Sequence, residues 1–408
     1  MGNTPSRQSE LEIEEKTIFL SSKKVYRIPA LFYDRDRKRL LAFAERRKTR
    51  ADTSTEVLVM KTGMVIKDED THEVTIKWSQ QKVVEEALLE GYRPMNPCPV
   101  YEKTSKTLFL FFICVEGTVS EQWQIRHCCN KTRLCYITTT DAGESWSPVT
   151  DLTDLMAEIK QWATFGVGPG HGIQTESGRL IVPVYAYVPN CYWCCSPCCS
   201  PCCSPCCSPC CSPCCSPCCS YTPYALSLHS DDKGSTWQFG KMLKNESLEC
   251  EMAEFFDGTH SFIYCNARSK GGYREEALSE SKGDDFYELS PGKLVEAGSG
   301  CQGSLVSFPV QSDAAHADND PNKWLLYSHP SNKSKRFALG VYLNKTPKDQ
   351  RAWSEPWIIN NEPSGYSDLA YIDDGWFACL LECGKKCETE QIAYKVFSYS
   401  EIKKGILV

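Results

Sequence analysis

Two segments of this chain share a form that most folds have no reason to repeat. One is Thr139-Thr140-Asp141-Ala142-Gly143-Glu144-Ser145-Trp146 and the other is Ser230-Asp231-Asp232-Lys233-Gly234-Ser235-Thr236-Trp237. A third, degraded copy is Ser279-Glu280-Ser281-Lys282-Gly283-Asp284-Asp285-Phe286. The shared form, S/T-x-D-x-G-x-S/T-W, describes a tight hairpin turn. Its Asp accepts backbone N–H bonds, its Gly takes a positive φ, and its aromatic ring pins the turn to a sheet. The second and third copies lie 49 residues apart, about one four-stranded blade. Around them run short apolar stretches such as Leu108–Ile113, Leu180–Tyr185, Ser261–Tyr264 and Trp324–Tyr327, with turn residues nearby. Helical periodicity is weak, and Asp151 to Trp162 is the one short helix expected. An all-β chain with a recurring hairpin favours a β-propeller over a sandwich or barrel. The expected organisation is a mobile arm over residues 1–16 and one propeller domain over 17–408, interrupted at 191–220.

Charge narrows the partners. With 45 Lys+Arg against 52 Asp+Glu, the chain lacks the basic surface that nucleic acid requires. No apolar run reaches the ~18 residues of a membrane span, and Met1 to Lys16 is too polar for a secretory signal. Of the 26 cysteines, 15 fall between Cys191 and Cys219. The others are scattered, as expected for free thiols in a reducing compartment. No spaced Cys/His pairs suggest a catalytic metal, so no metal or cofactor is expected. Four N-x-S/T sequons, at Asn130, Asn245, Asn332 and Asn344, are expected to be unused without a secretory signal.

Further motifs carry a family resemblance. Tyr26-Arg27-Ile28-Pro29, Phe43-Ala44-Glu45-Arg46-Arg47, Met95-Asn96-Pro97, Gly168-Pro169-Gly170-His171-Gly172, Asn266-Ala267-Arg268, Gly300-Cys301-Gln302-Gly303 and Gly365-Tyr366-Ser367-Asp368, together with the turn boxes, resemble the sialidase (neuraminidase) family. Leu381-Glu382-Cys383-Gly384 and Glu390-Gln391-Ile392-Ala393 look most like its plasma-membrane-associated, ganglioside-cleaving branch. The resemblance spans roughly Tyr26 to Phe397 outside the cysteine run. It implies a six-bladed β-propeller with Asp-box turns and exo-α-sialidase activity.

It also implies a site. Sialic acid bears a carboxylate on its anomeric carbon, and planar bidentate Arg donors suit that group better than Lys. The three arginines of the family correspond to Arg27, Arg268 and Arg336, and Glu382 to the acid that orients the first. A carboxylate nucleophile would approach the substrate carboxylate, and sialidases use Tyr instead. Tyr366 matches that residue. Glu249 matches its base, with Glu254 as rival. Asp52 stands at the position of the general acid. Tyr185 and Tyr187 alternate along one strand and resemble substrate-lining tyrosines, although a core aromatic pair reads equally well for Tyr187. Glu45 and Arg47 share a face and resemble a pocket wall or, alternatively, a cross-strand ion pair. Asn96, Glu121 and Gln302 match positions near the N-acetyl and glycerol groups.

The run from Ser196 to Cys219 repeats Ser-Pro-Cys-Cys six times. A Pro every fourth residue blocks helix and ladder alike. A thiolate metal sponge, disulfides, a repeat expansion without function, and S-acylation at residues such as Cys194, Cys195, Cys198 and Cys199 all fit the composition. The N-terminal Met1-Gly2-Asn3-Thr4-Pro5-Ser6 fits N-myristoylation at Gly2, and two lipid signals anchor far better than one. The leading expectation is a retaining exo-α-sialidase acting on gangliosides at a membrane surface, lipid-anchored at plasma membrane or endomembranes. A soluble sialidase for oligosaccharides and glycoproteins, a non-catalytic sialic-acid-binding propeller and a metal-buffering protein are the alternatives.

Overall fold

The computed structural model describes residues 15–189, 220–258, 260–311 and 322–406. Gly2, Cys194, Cys195, Cys198 and Cys199 lie outside them. The described chain is nearly all β, and every neighbouring strand pair in its sheets is antiparallel.

Four sheets follow one another along the chain, each a meander of consecutive strands. The first runs through Val25–Asp34, Arg39–Arg47, Thr55–Lys67 and Val74–Trp78. The second runs through Tyr92–Glu102, Thr107–Glu116, Thr132–Thr139 and Thr150–Asp151. The third contains Thr164–Val167, Leu180–Pro189, Tyr221–Ser230 and Gln238–Phe239. The fourth contains Cys250–Phe256, Ser261–Ala267, Glu275–Ser279 and Tyr287–Glu288. The remaining sheet has seven strands. At its middle is Trp357–Asp373, which is 17 residues long. Its first half pairs with Phe337–Asn344 and its second half with Trp376–Cys383. At one edge, Lys16–Leu20 pairs with Gln391–Ser398. Lys16, assigned by the sequence reading to the mobile arm, therefore opens a strand.

Apolar layers join these sheets into a ring. Leu41, Phe43 and Leu58 of the first pack on Leu110, Phe112 and Ile137 of the second. Val100 and Phe111 continue to Val182 and Leu228 of the third. Ile181 and Ala225 meet Met252 and Ile263 of the fourth. Phe255 and Tyr264 meet Leu305 and Tyr327 of the seven-stranded sheet. That sheet folds on itself, with Phe308 and Val341 against Phe377 and Phe397. Ala370 and Leu380 then return to Leu31 and Ala42 of the first sheet. Strands such as Thr107–Glu116 are buried on both faces, which explains their unbroken apolar sequence rather than an alternating one. The arrangement is propeller-like.

The repeated turns are built by their own side chains. Asp141 accepts from the backbone of Glu144 and Ser145, each at 3.0 Å, and from Ser145 Oγ at 2.6 Å. Burial works against that carboxylate, but these donors outweigh it and hold its pKa at about 2. Asp232 repeats the pattern with Thr236. Trp237 packs edge-on to Phe111, with ring centroids 4.7 Å apart. In the degraded copy Ser281 replaces the Asp, and its hydroxyl accepts from Asp285 N at 2.9 Å.

Two α-helices, Glu121–His127 and Tyr399–Ile406, were not expected. The expected helix between Asp151 and Trp162 is instead two short 3-10 turns, Thr153–Leu155 and Ala157–Gln161. Its apolar residues Leu152, Met156, Ile159 and Trp162 all pack into the core between the second and third sheets. That packing satisfied the helical spacing without a continuous helix.

Candidate active site

The site begins with three local distortions of strands. Ile28 has φ 59°, Asn96 56° and Ala338 57°. Each sits where its strand slips register against its neighbour, between Arg27 and Ala30, between Met95 and Cys98, and between Phe337 and Leu339. Left-handed backbone is costly for residues with a Cβ, most of all for the β-branched Ile28. Such bulges redirect side chains beside functional sites. Ile28 directly follows Arg27, and Ala338 lies two residues beyond Arg336.

Arg27 is held by a buried carboxylate. Its Nε and Nη2 donate to the two oxygens of Glu382 at 3.0 and 3.1 Å. The backbone N–H groups of Ile28 and Tyr366 donate to the same carboxylate at 2.8 and 3.2 Å. Burial opposes the charge on Arg27, and Glu382 more than offsets it, so its pKa moves up. The guanidinium of Arg27 lies 5.3 Å from the centre of the Tyr366 ring, and that of Arg336 lies 5.1 Å from it. Arg336 also donates to Gly300 O at 3.1 Å.

Arg268 completes the cluster. Its Nη1 donates to Glu249 at 2.8 Å and to Tyr366 Oη at 3.3 Å. Gly300 lies against it at φ 92°, and a Cβ there would come within 2.6 Å of Arg268 Nε. That Nε is buried and has no acceptor among the described residues. Tyr366 Oη donates to Glu249 at 2.5 Å. Burial first, and then the Glu249 carboxylate, push the phenol pKa up, while Arg268 and Arg336 pull it down. The phenol is therefore neutral, with a proton acceptor in contact and two cations placed to stabilise a phenolate. Ile28, Ala297 and Cys301 form the apolar packing around Tyr366. Glu254, the rival to Glu249, is turned elsewhere: it accepts from Glu176 N and Ser261 Oγ.

Asp52 opens a short 3-10 turn, and its side chain is 67% exposed. Arg47 Nη1 donates to it at 2.5 Å. Arg47 is itself buried and paired with Glu45 at 2.6 Å. Glu45 in turn accepts from Asn96 N at 2.8 Å. Glu45 and Arg47 are thus a same-strand ion pair beneath Asp52, not a cross-strand one.

Glu121 begins the helix Glu121–His127, whose N-cap Ser120 accepts from Trp123 N. Tyr185 Oη donates to Glu121 at 3.4 Å. Glu121 is exposed. Desolvation, followed by the carboxylates of Glu249 and Asp52, raises its pKa to about 7. Tyr185 and Tyr187 stand edge-to-face, with centroids 6.4 Å apart, in a cluster with Ala163 and Leu248. Both readings of Tyr187 therefore have a physical basis, since the pair is packed and also borders Glu121.

Two of the expected residues have their amides engaged within the protein. Asn96 Nδ2 donates to Val167 O at 3.3 Å. Gln302 is fully buried; it donates to Pro169 O and Glu251 and accepts from Ser367 N. Sequence reasoning missed a cluster next to Gln302: its partner Glu251 lies with Asp368, both buried, and the half-buried His171, their ligand-type atoms within 4.8 Å of one another. The signal was present as acidic residues inside otherwise apolar strands.

Residues 38–379 match the BNR repeat-like domain family. The chain is 41% identical over 410 residues to Homo sapiens sialidase-3, covering 92% of this chain and 90% of that protein. It is 40% identical over 399 residues to Cricetulus griseus sialidase-2, covering 95% and 96%. Among solved structures, a Hadza microbial sialidase superposes with TM-score 0.69 at 17% identity, over 92% of this chain and 66% of that one. Trypanosoma rangeli sialidase in complex with 2,3-difluorosialic acid, a covalent intermediate, superposes with TM-score 0.64 at 18% identity, over 98% and 58%. These structural matches establish the common fold, and the identity to sialidase-3 and sialidase-2 over nearly the whole chain establishes the family. The chain belongs to the sialidases (neuraminidases), a family of glycoside hydrolases.

Proposed function

We propose that the protein is a retaining exo-α-sialidase that removes terminal sialic acid by a tyrosine nucleophile. The observation that carries this reading is the Tyr366–Glu249 contact at 2.5 Å, flanked by Arg27, Arg268 and Arg336. The three guanidiniums receive the substrate carboxylate. Tyr366 Oη bonds to the anomeric carbon and gives its proton to Glu249, while the glycosidic C–O bond breaks. Asp52 donates a proton to the leaving oxygen. In the second step Asp52 takes a proton from water, which attacks the anomeric carbon. Tyr366 leaves and recovers its proton from Glu249. Two displacements retain configuration.

The preferred substrates in this reading are gangliosides at a membrane surface. Support comes from the similarity to sialidase-3, the Gly2 motif and the place of the cysteine run. The run emerges from the strand pair that ends at Pro189 and Tyr221, two residues beyond Tyr187. The fold reading counts the seven-stranded sheet as two blades sharing Trp357–Asp373, giving six blades in one domain. A soluble sialidase remains the second reading, favoured by the comparable identity to sialidase-2.

The test is hydrolysis of mixed gangliosides, with and without detergent, by the parent and by Tyr366→Phe. Sialic acid release by the parent and a fall of about 10³-fold or more in the variant support the mechanism. No release by either, with sialoside binding retained, would leave only a binding propeller. Replacing residues 190–219 with a short Gly-Ser loop tests the membrane reading: unchanged membrane recovery and ganglioside turnover would reject it.

A further inference from the structure

We propose that His171, clamped between Asp368 and Glu251, is a positioning residue for the nucleophile pair Tyr366 and Glu249. This inference rests on the proposed roles of that pair. Asp368 lies two residues beyond Tyr366 on one strand, and Glu251, in the strand Cys250–Phe256, is two residues beyond Glu249, which immediately precedes that strand. Two strand residues span about 7 Å, so a second polar layer lies one step along from the first.

The layer is tied at every point. His171 Nδ1 and Asp368 Oδ1 are 2.7 Å apart, and Glu251 Oε2 is 3.7 Å from the same nitrogen. Ser304 Oγ bridges the two acids, at 3.0 Å from Glu251 and 2.8 Å from Asp368. Asp368 also accepts from Leu31 N, and Glu251 from Leu305 N. Gln302 joins Glu251 to Ser367 N, the residue next to Tyr366. The turn that delivers His171 requires glycine: Gly170 has φ 118°, and a Cβ there would run into the Glu251 carboxylate.

Charge makes His171 the keystone. Two fully buried carboxyl groups facing one another cannot readily both ionise, and a cation between them holds the one that does. Burial lowers the imidazole pKa, but Asp368 and then Glu251 raise it further, to about 9. Burial moves the Glu251 carboxyl up as well. Cys98 and Cys379, whose buried thiols are likewise held protonated, also face these acids. At neutral pH the layer is therefore a protonated imidazole joined to Asp368, with Glu251 drawn toward its neutral form. Removing the cation loosens the segments that carry Tyr366 and Glu249 more than Arg27, which Glu382 clamps separately.

The experiment compares the full-length parent, His171→Gln and the surface control His72→Gln. The readouts are kcat, KM, affinity for a 2,3-dehydro sialic acid inhibitor, and the rate of covalent adduct formation with 2,3-difluorosialic acid. The expected result for His171→Gln is a fall in kcat and in adduct rate of about tenfold, with KM and inhibitor affinity within about twofold. His72→Gln should behave as the parent. A lowered Tm with kcat unchanged would make the layer structural only and overturn the proposal, as would equal losses in kcat and inhibitor affinity. Should His171→Gln fail to fold, Ser304→Ala, which removes the hydroxyl bridging the two acids, must show the same kcat-selective loss; unchanged kcat there also overturns it. A parent without activity would instead refute the sialidase mechanism itself.

Discussion

Glu382 offers the most exacting test of how the site is held. Glu382→Ala removes the acceptor of four donors at once: two from Arg27, and the backbone N–H groups of Ile28 and Tyr366. The Glu382 side chain is wholly buried and that of Arg27 is only 13% exposed, so water cannot fully replace it. Breaking such a pair by deleting one partner costs about 3–5 kcal/mol. At ~2.1 cal/mol/K per residue over the roughly 350 described residues, the unfolding entropy is about 0.7 kcal/mol/K, which translates to a Tm lower by about 4–7 °C. The functional loss is separate. Arg27 without its clamp gives up an oriented, charge-assisted contact with the substrate carboxylate worth about 1.5–3 kcal/mol, or an increase in KM of about 10- to 100-fold. Thermal melts and steady-state hydrolysis of a fluorogenic sialoside measure both. Glu382→Gln, which keeps the shape but loses the charge, should move both quantities in the same direction by less. A Glu382→Ala protein melting within 1 °C of the parent, with KM within twofold, would refute the argument that this carboxylate orients Arg27.

Other expectations follow from the same geometry. Glu121, with a pKa raised to about 7, is neutral below that pH and anionic above it. Affinity for an anionic sialoside inhibitor should therefore weaken as pH rises from 6 to 8, and Glu121→Gln should flatten that dependence in a Ki-versus-pH series. Gly300→Ala strains a φ of 92° and crowds Arg268 Nε, so inhibitor affinity should fall about tenfold or more in a binding titration. Asp141→Ala deletes the turn acceptor and should cost about 1–2 kcal/mol in a denaturant melt. Because the Asp141 pKa is depressed to about 2, its contribution is present above the ordinary Asp value and lost as pH falls toward 2. The stability gap between parent and variant should close over that interval.

Much of the site was legible because its residues sit in short motifs that also shape the backbone. Arg27 precedes the left-handed Ile28, and Arg336 lies two residues before the left-handed Ala338, so local sequence records both the side chain and its aim. Glu249 was preferred to Glu254 because its interval to Arg268 fits the family resemblance; in the structure Glu249 contacts Tyr366, and Glu254 accepts from Glu176 N. His171, Glu251 and Asp368 were not legible as a unit. They come from three distant segments, and each alone reads as a polar residue near a turn or an acid in a strand. The helix Glu121–His127 was missed because seven residues give too short a period to detect. The two 3-10 turns after Asp151 were mistaken for a helix because buried residues at near-helical spacing satisfy both. Gln302 illustrates the limit of motif matching: its position is right for the neighbourhood, but its amide is consumed by Glu251, Pro169 and Ser367.

The edge pairing of Lys16–Leu20 with Gln391–Ser398 constrains the order of events during synthesis. Thr17 and Gln391, bonded side chain to side chain, are separated by 374 positions. The first four sheets are complete once their own residues have emerged, since each uses only consecutive strands. The strand at Lys16–Leu20 must wait beside a growing chain until the last strand arrives, and until then the apolar layer containing Ile18, Phe19, Ile392 and Tyr394 has only one wall. A nascent chain stalled before Gln391 would therefore expose that half-layer and the unpaired strand edge beside it, a surface that chaperones and aggregation both read.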